Sequence, residues 1–158
     1  MMVWFGTDPE FVVLNPAGKP VSAHNFFPGK DDKIYHSIKG RGNGALFRDG
    51  YVLELNVPPT YCRSILVDSV RFMLQKAKRY LPAGYKLTTA ATFPVNLTEI
   101  RKSPPDVKMF GCDPSLNAYT GLEQRIELDG SSHKLRYAGG HLHFSPTPTP
   151  GWMKDIKR

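Results

Sequence analysis

The chain has 158 residues, 41% hydrophobic and 22% charged, the balance of an ordinary folded protein, and its length suits one domain with a real core rather than two. Lys and Arg outnumber Asp and Glu by 21 to 14, and the resulting +7 attracts polyanions without naming them, so nucleotide, nucleic acid and plain solubility all stay open. No apolar run approaches the roughly 20 residues that span a bilayer, and Met1-Met2-Val3-Trp4-Phe5 lacks the basic start and long apolar core of a signal peptide, so the expected location is the cytoplasm with no membrane partner.

Residues 3–5 and 11–14 read as strand with Gly6 to Pro9 at a bend, and Asn15-Pro16-Ala17-Gly18 is a turn signal that returns the chain as a hairpin through 20–23. From His24 to Gly44 the composition turns loop-like, with Pro28-Gly29, the polar run Lys30 to Lys33 and the glycine-rich Lys39 to Gly44. No Gly-Lys-Ser/Thr follows those glycines, which excludes a P-loop, and the segment reads as a mobile connection more than as a flap over phosphate.

A strand over 51–57 stops at Pro58-Pro59, and Thr60 is the expected N-cap of a helix over 61–81. Ile65, Leu66, Val70, Met73, Leu74, Ala77 and Leu81 recur there at helical spacing, with Arg63, Asp68, Arg71, Gln75, Lys76 and Lys78 on the other side. Pro82-Ala83-Gly84 ends the helix, and Tyr85 to Phe93 reads as a return strand. Residues 94–108, with Pro94, Pro104 and Pro105, read as a long connection holding one helical turn; the Asn96-Leu97-Thr98 sequon has no consequence in a cytoplasmic chain. Gly111 to Ser115 is turn chemistry with Asp113 as a capping residue, and Asp129-Gly130 marks a hairpin between 124–128 and 134–137. Cys62 and Cys112 are too few and too far apart for a disulfide framework or a zinc knuckle and read as reduced, buried thiols. The order predicts an α+β domain, a mainly antiparallel sheet with one long amphipathic helix on one face and a ligand cleft on the other.

Three segments carry polar pairs where core strands would not. In Gly139-Gly140-His141-Leu142-His143-Phe144 the two histidines are at i and i+2 of a strand, so both imidazoles share a face, and the glycines let a ligand or another strand approach the backbone. Asp8 and Glu10 lead into the apolar run 11–14 and place two carboxylates on one face, a repulsion that usually calls for a cation. Glu54 lies among Val52, Leu53, Leu55 and Val57, an unusual place for a carboxylate without a partner. If the three strands are neighbours in one sheet, Asp8, Glu10, Glu54, His141 and His143 converge as oxygen and nitrogen ligands suited to Mg²⁺, or to Mn²⁺ as imidazole joins.

The runs GTDPEF, DGYVLELN, FGCDPSLNAY and RYAGGHLHFS resemble, in this order, the motifs of phage carboxylate-amine ligases of the second type, amidoligases of the glutamine synthetase and glutamate-cysteine ligase superfamily. Each run alone is weak; the specificity lies in four occurring in order between about residue 5 and residue 146. The resemblance implies the N-terminal half of a glutamine-synthetase-like catalytic domain. It also implies ATP held by divalent ions on Asp8, Glu10, Glu54 and His141, and phosphate faced by Arg136 and His143. Family members continue with a helical region and arginine-bearing strands, whereas here Ser145 is followed by the Pro-rich 146–151 and a short end at Arg158. The single domain over 1–158 is therefore expected to be incomplete, completed by a second chain or a homo-oligomer, or kept without catalysis.

The first function expected is an ATP- and Mg-dependent ligase that joins a carboxylate to an amine through an acyl phosphate. A phage structural or binding protein that keeps the fold without activity is the alternative. A nucleic-acid-binding domain is favoured by net charge alone, since the basic clusters at 30–48, 71–79 and 154–158 show no pattern of a known nucleic-acid module.

Overall fold

The computed structural model describes residues 3–110, 117, 119–123 and 129–145. It is an α+β fold in which every described strand pairing is antiparallel. The largest sheet combines β2 (Glu10–Leu14), β3 (Pro20–Val21), β4 (Ile34–Ile38), β5 (Gly42–Asp49), β6 (Val52–Asn56) and β7 (Lys86–Thr88). Its path runs β3-β2-β6-β5-β4, with β7 also on β2. Two short ribbons stand beside it: β1 (Trp4–Thr7) with β10 (Leu142–Ser145), and β8 (Thr92–Pro94) with β9 (Leu135–Tyr137).

Both faces of the central strands are covered, which is why Phe11-Val12-Val13 and Val52-Leu53 are apolar runs rather than alternations. On one side Phe11, Val13, Leu46, Leu53 and Leu55 pack with Met73 and Ala77 of α1 (Arg63–Lys78). On the other, Val12, Tyr51 and Val52 pack with Phe93, with Ile100 of α2 (Leu97–Lys102) and with Val107 of α3 (Pro105–Lys108). Truncating one of the fully buried leucines, Leu46 or Leu53, to Ala removes contacts on this scale and costs about 2–5 kcal/mol.

The stretch 24–44 is not the mobile connection its composition suggests. It begins with a 3₁₀ turn at Ala23–Asn25 and then builds the β4–β5 hairpin, with Ile34 opposite Leu46 and Ile38 opposite Gly42. The apolar positions 34 and 38 were masked by the surrounding charges and glycines, and those glycines have packing roles. Gly40 takes the turn at φ 71°, and a side chain on Gly44 would put its Cβ 2.5 Å from Met73 Sδ. The hairpin at Asn15 forms as expected, with its side-chain oxygen accepting from the Ala17 and Lys19 amides.

α1 is shorter than the periodicity predicted and is the one described helix of seven or more residues. Its fully buried stripe is Ser69, Met73 and Ala77 alone. Thr60 is not its cap. Thr60 exchanges two backbone bonds with Phe5 and accepts from the Cys62 amide through Oγ1, and Cys62 stands at the N-cap with no side-chain bond to the helix backbone. Cys62 is a free thiol but only half-buried, against expectation; Cys112 lies outside the described residues. The return strand over 85–93 is split into β7 and β8, and the connection 94–108 holds two short helices, the first capped by Asn96 Oδ1 on the Thr98 and Glu99 amides. Gly111 to Ser115 and the arm 124–128 lie outside the described residues; the arm 134–137 becomes β9. Among the described residues no helix is long and apolar enough to cross a membrane.

Candidate metal centre

The three polar segments do not share one sheet. The acidic segment divides at Pro9, whose ring removes a backbone donor. Before it, β1 pairs with β10 and places Gly6 opposite His143; after it, β2 pairs with β6 and places Glu10 directly opposite Glu54. The expected ligands therefore fall into two adjacent groups.

The first group is made of carboxylates. Cross-strand partners share a face at close range, so Glu10 and Glu54 meet side by side on the face away from α1. Asp49, the last residue of β5, joins them, and one oxygen from each of Glu10, Asp49 and Glu54 lies within 4.8 Å of the other two. Asp49 pairs with Val52 across the turn at Gly50, where φ is 54°, and this tight return brings it next to Glu54. The sequence reading began this strand at 51 and left Asp49 out of the ligand set; the usable signal was its spacing, one turn before a strand already carrying Glu54.

The crowding is visible in the acidities. Burial, then repulsion from Asp49, Asp8 and Glu10, pushes the Glu54 carboxyl up to about 8, with Lys33 opposing. Burial also raises Glu10, where the Gly139 amide acts against it and Asp49 adds to it.

The second group is Asp8 with the two histidines. Asp8 Oδ1 accepts from the His141 amide at 2.7 Å and lies 3.3 Å from His141 Nδ1, while Oδ2 is 3.0 Å from His143 Nε2. Burial raises Asp8, but the His143 and His141 hydrogen bonds and their charge outweigh it and hold the carboxyl below its ordinary value. The imidazoles do lie on one side, with ring centroids 6.0 Å apart.

The two groups are joined by the segment 139–141. Gly139 exchanges bonds with Glu10, its amide donating to Oε2 at 2.6 Å and its carbonyl accepting from the Glu10 amide at 3.0 Å. Gly140 has φ 153°, and a Cβ there would fall 2.9 Å from Pro9 Cα. What approaches the glycine backbone is thus the chain's own Asp8-Pro9, one of the alternatives the sequence left open.

Arg136 is not presented as a free phosphate clamp. It is 4% exposed; Nη1 donates to the His133 and Leu135 carbonyls and Nη2 to the Gly130 carbonyl at 2.7 Å, while the guanidinium lies 4.7 Å from the Phe110 ring centroid. Its Nε is buried without a partner. A cleft of about 370 Å³ has Glu10, Asp49, Met109, Arg136, Tyr137 and His141 among its walls.

As a donor set, Glu10, Asp49 and Glu54 fit a hard divalent cation, with oxygen ligands and no thiolate. Comparison with protein-family models, curated proteins and solved structures finds no match for this chain.

Proposed function

We propose that the chain is a divalent-cation-dependent, ATP-using carboxylate-amine ligase, or the N-terminal part of one, built on the N-terminal half of a glutamine-synthetase-like catalytic domain with α1 as its long amphipathic helix. The observation that carries this reading is the meeting of Glu10, Asp49 and Glu54, one oxygen of each within 4.8 Å of the other two, beside a cleft that Glu10 and Asp49 line. Glu10, Asp49 and Glu54 would hold Mg²⁺ or Mn²⁺, with Asp8 and His141 beside them. A bound cation supplies charge neutralisation for the polyphosphate and the transferring phosphoryl group.

The protein's own contribution is positioning. Gly139 fixes one oxygen of Glu10, Asp8 fixes both histidines, and His141 lines the cleft; His143, whose Nε2 is on Asp8, would be the group that donates to phosphoryl oxygens in the ligase. Because two of the three Arg136 nitrogens serve backbone carbonyls, ligation needs further cationic groups, from another segment or from a partner chain or second copy. The same observation favours a second reading, a phage structural or binding protein that keeps a metal site and has no activity.

The deciding experiment measures melting temperature against Mg²⁺ and Mn²⁺, then titrates Mg-ATP by calorimetry and follows phosphate release with mixed amines and acids. Metal stabilisation abolished by Glu10→Gln supports the site. Amine-dependent phosphate release supports the ligase, and binding without release supports the second reading. A melting curve indifferent to both ions rejects both.

A further inference from the structure

Lys33 precedes β4, and its ammonium rests 4.0 Å from the centroid of the Phe47 ring. Phe47 is 4% exposed and stands directly opposite Glu54 across β5 and β6, as Glu54 stands opposite Glu10. A fixed aromatic plate thus holds a positive charge on the flank of the carboxylate cluster. The ammonium acts on Glu54 from there, drawing its carboxyl down against burial and the neighbouring acids. Among the described residues it makes no hydrogen bond or ion pair, so its three donors stay open, whereas Arg136 has both Nη atoms on carbonyls. Arg136, on the cleft wall with Glu10 and Asp49, is a charged side chain 4% exposed whose Nε is buried without a partner.

We propose that Lys33, seated on Phe47, contacts the phosphate oxygens of an anionic ligand that Glu10, Asp49 and Glu54 hold through a divalent cation. The proposal rests on the reading of these carboxylates as a cation site. Its logic is alternation of charge. With the cluster empty, the ammonium neighbours Glu54; a cation among the carboxylates repels it, and any phosphate on that cation attracts it again. Lysine suits this position because a compact ammonium on a flexible stem adjusts to a phosphate oxygen without the fixed fork of arginine.

Because the two effects have opposite signs, they can be read separately. The full chain, with Lys33→Met and Lys33→Arg, is titrated with Mn²⁺ alone and then with inorganic tripolyphosphate at saturating Mn²⁺. The Met variant is expected to bind Mn²⁺ as tightly as wild type or a few-fold tighter, since a positive neighbour is gone. It should bind tripolyphosphate about ten- to a hundredfold more weakly, the worth of one charge-assisted contact, and Lys33→Arg should recover most of that loss. Unchanged tripolyphosphate affinity in Lys33→Met, with Mn²⁺ binding intact, overturns the role of Lys33 and leaves the cation site standing. Equal losses for both probes also overturn it, because they mark a structural role. Failure of the wild-type chain to bind Mn²⁺ overturns the site and the proposal together.

Discussion

Glu54 should make the metal-free protein less stable as pH rises, the reverse of a salt-bridged carboxylate. Its carboxyl titrates near 8 in the folded chain against an ordinary 4.5, so between these values the native state holds a proton that the unfolded state has released. Stability changes with pH in proportion to the protons bound unfolded minus those bound folded; the difference is negative here, so stability is lost from about pH 4.5 up to about pH 8. At roughly 1.36 kcal/mol per unit the full shift corresponds to an upper bound near 5 kcal/mol. Glu54 is only partly buried, so solvent screening leaves about half of that, ~2–3 kcal/mol, as the expected swing. For a chain of this size it amounts to roughly 5–10 °C in Tm. The assay is urea unfolding in EDTA from pH 5 to pH 8.5 for wild type and Glu54→Gln, with the difference between the two curves isolating this group. Saturating Mg²⁺ should flatten the wild-type curve by stabilising the ionised form. A wild-type curve that rises or stays flat over this range in EDTA, or a Gln variant that keeps the whole slope, would refute the argument.

Asp49→Asn should remove metal-induced stabilisation as fully as Glu10→Gln, a rise of about 2.7 kcal/mol at a hundredfold excess over Kd in the wild type, measured by melting with and without Mn²⁺. Arg136→Met should cost about 2–4 kcal/mol in urea unfolding, because three backbone carbonyls lose a charged donor; an unchanged midpoint would mean those bonds contribute nothing. Gly140→Ala should destabilise by about 1–3 kcal/mol, since φ 153° and Pro9 Cα at 2.9 Å both reject a Cβ, and an Ala variant as stable as wild type would show that the 139–141 segment can shift freely.

Sequence pattern was informative where one physical signal dominated. The strands at 11–14 and 51–57, the Asn15 turn and the helix after Pro59 each combine an apolar period with punctuation by Pro, Gly or Asn, and each is found within a few residues of its expected place. The α+β class and the antiparallel pairing follow from them. The β4–β5 hairpin was hidden because Gly44 is chosen for room beside Met73, a contact between residues far apart in sequence that no local window contains. The site was legible as a set of residue types, and Glu10 and Glu54 do meet; its division in two was not, since pairing partners are decided by long-range register. Asp49 was overlooked because Asp-Gly is ordinary turn chemistry, and only the fold of that turn reveals a second role. Arg136 stood next to the histidine motif, yet its neighbours in the chain point elsewhere: on β9 the residues at 135 and 137 face out and 136 faces in.

The division at Pro9 gives the two neighbouring carboxylates different chemical freedom. Asp8 has both oxygens engaged, Oδ1 by the His141 amide and Oδ2 by His143, and these bonds are what hold its carboxyl low in spite of burial. Glu10 has one oxygen fixed by the Gly139 amide and stays raised beside Asp49. A carboxylate with one oxygen anchored by a backbone N–H keeps its remaining lone pairs for a ligand and has its orientation set in advance, as outer hydrogen bonds do for metal-binding side chains. In this arrangement Asp8 orients the histidines and Glu10 turns toward Glu54 and Asp49. The segment from Gly139 to His141 ties both carboxylates to one piece of backbone, reinforced where Thr7 Oγ1 donates to the His141 carbonyl at 2.9 Å. Movement of that segment therefore alters the carboxylate cluster and the histidine pair together, which makes the glycines at 139 and 140 part of the site's geometry although they offer it no side chain.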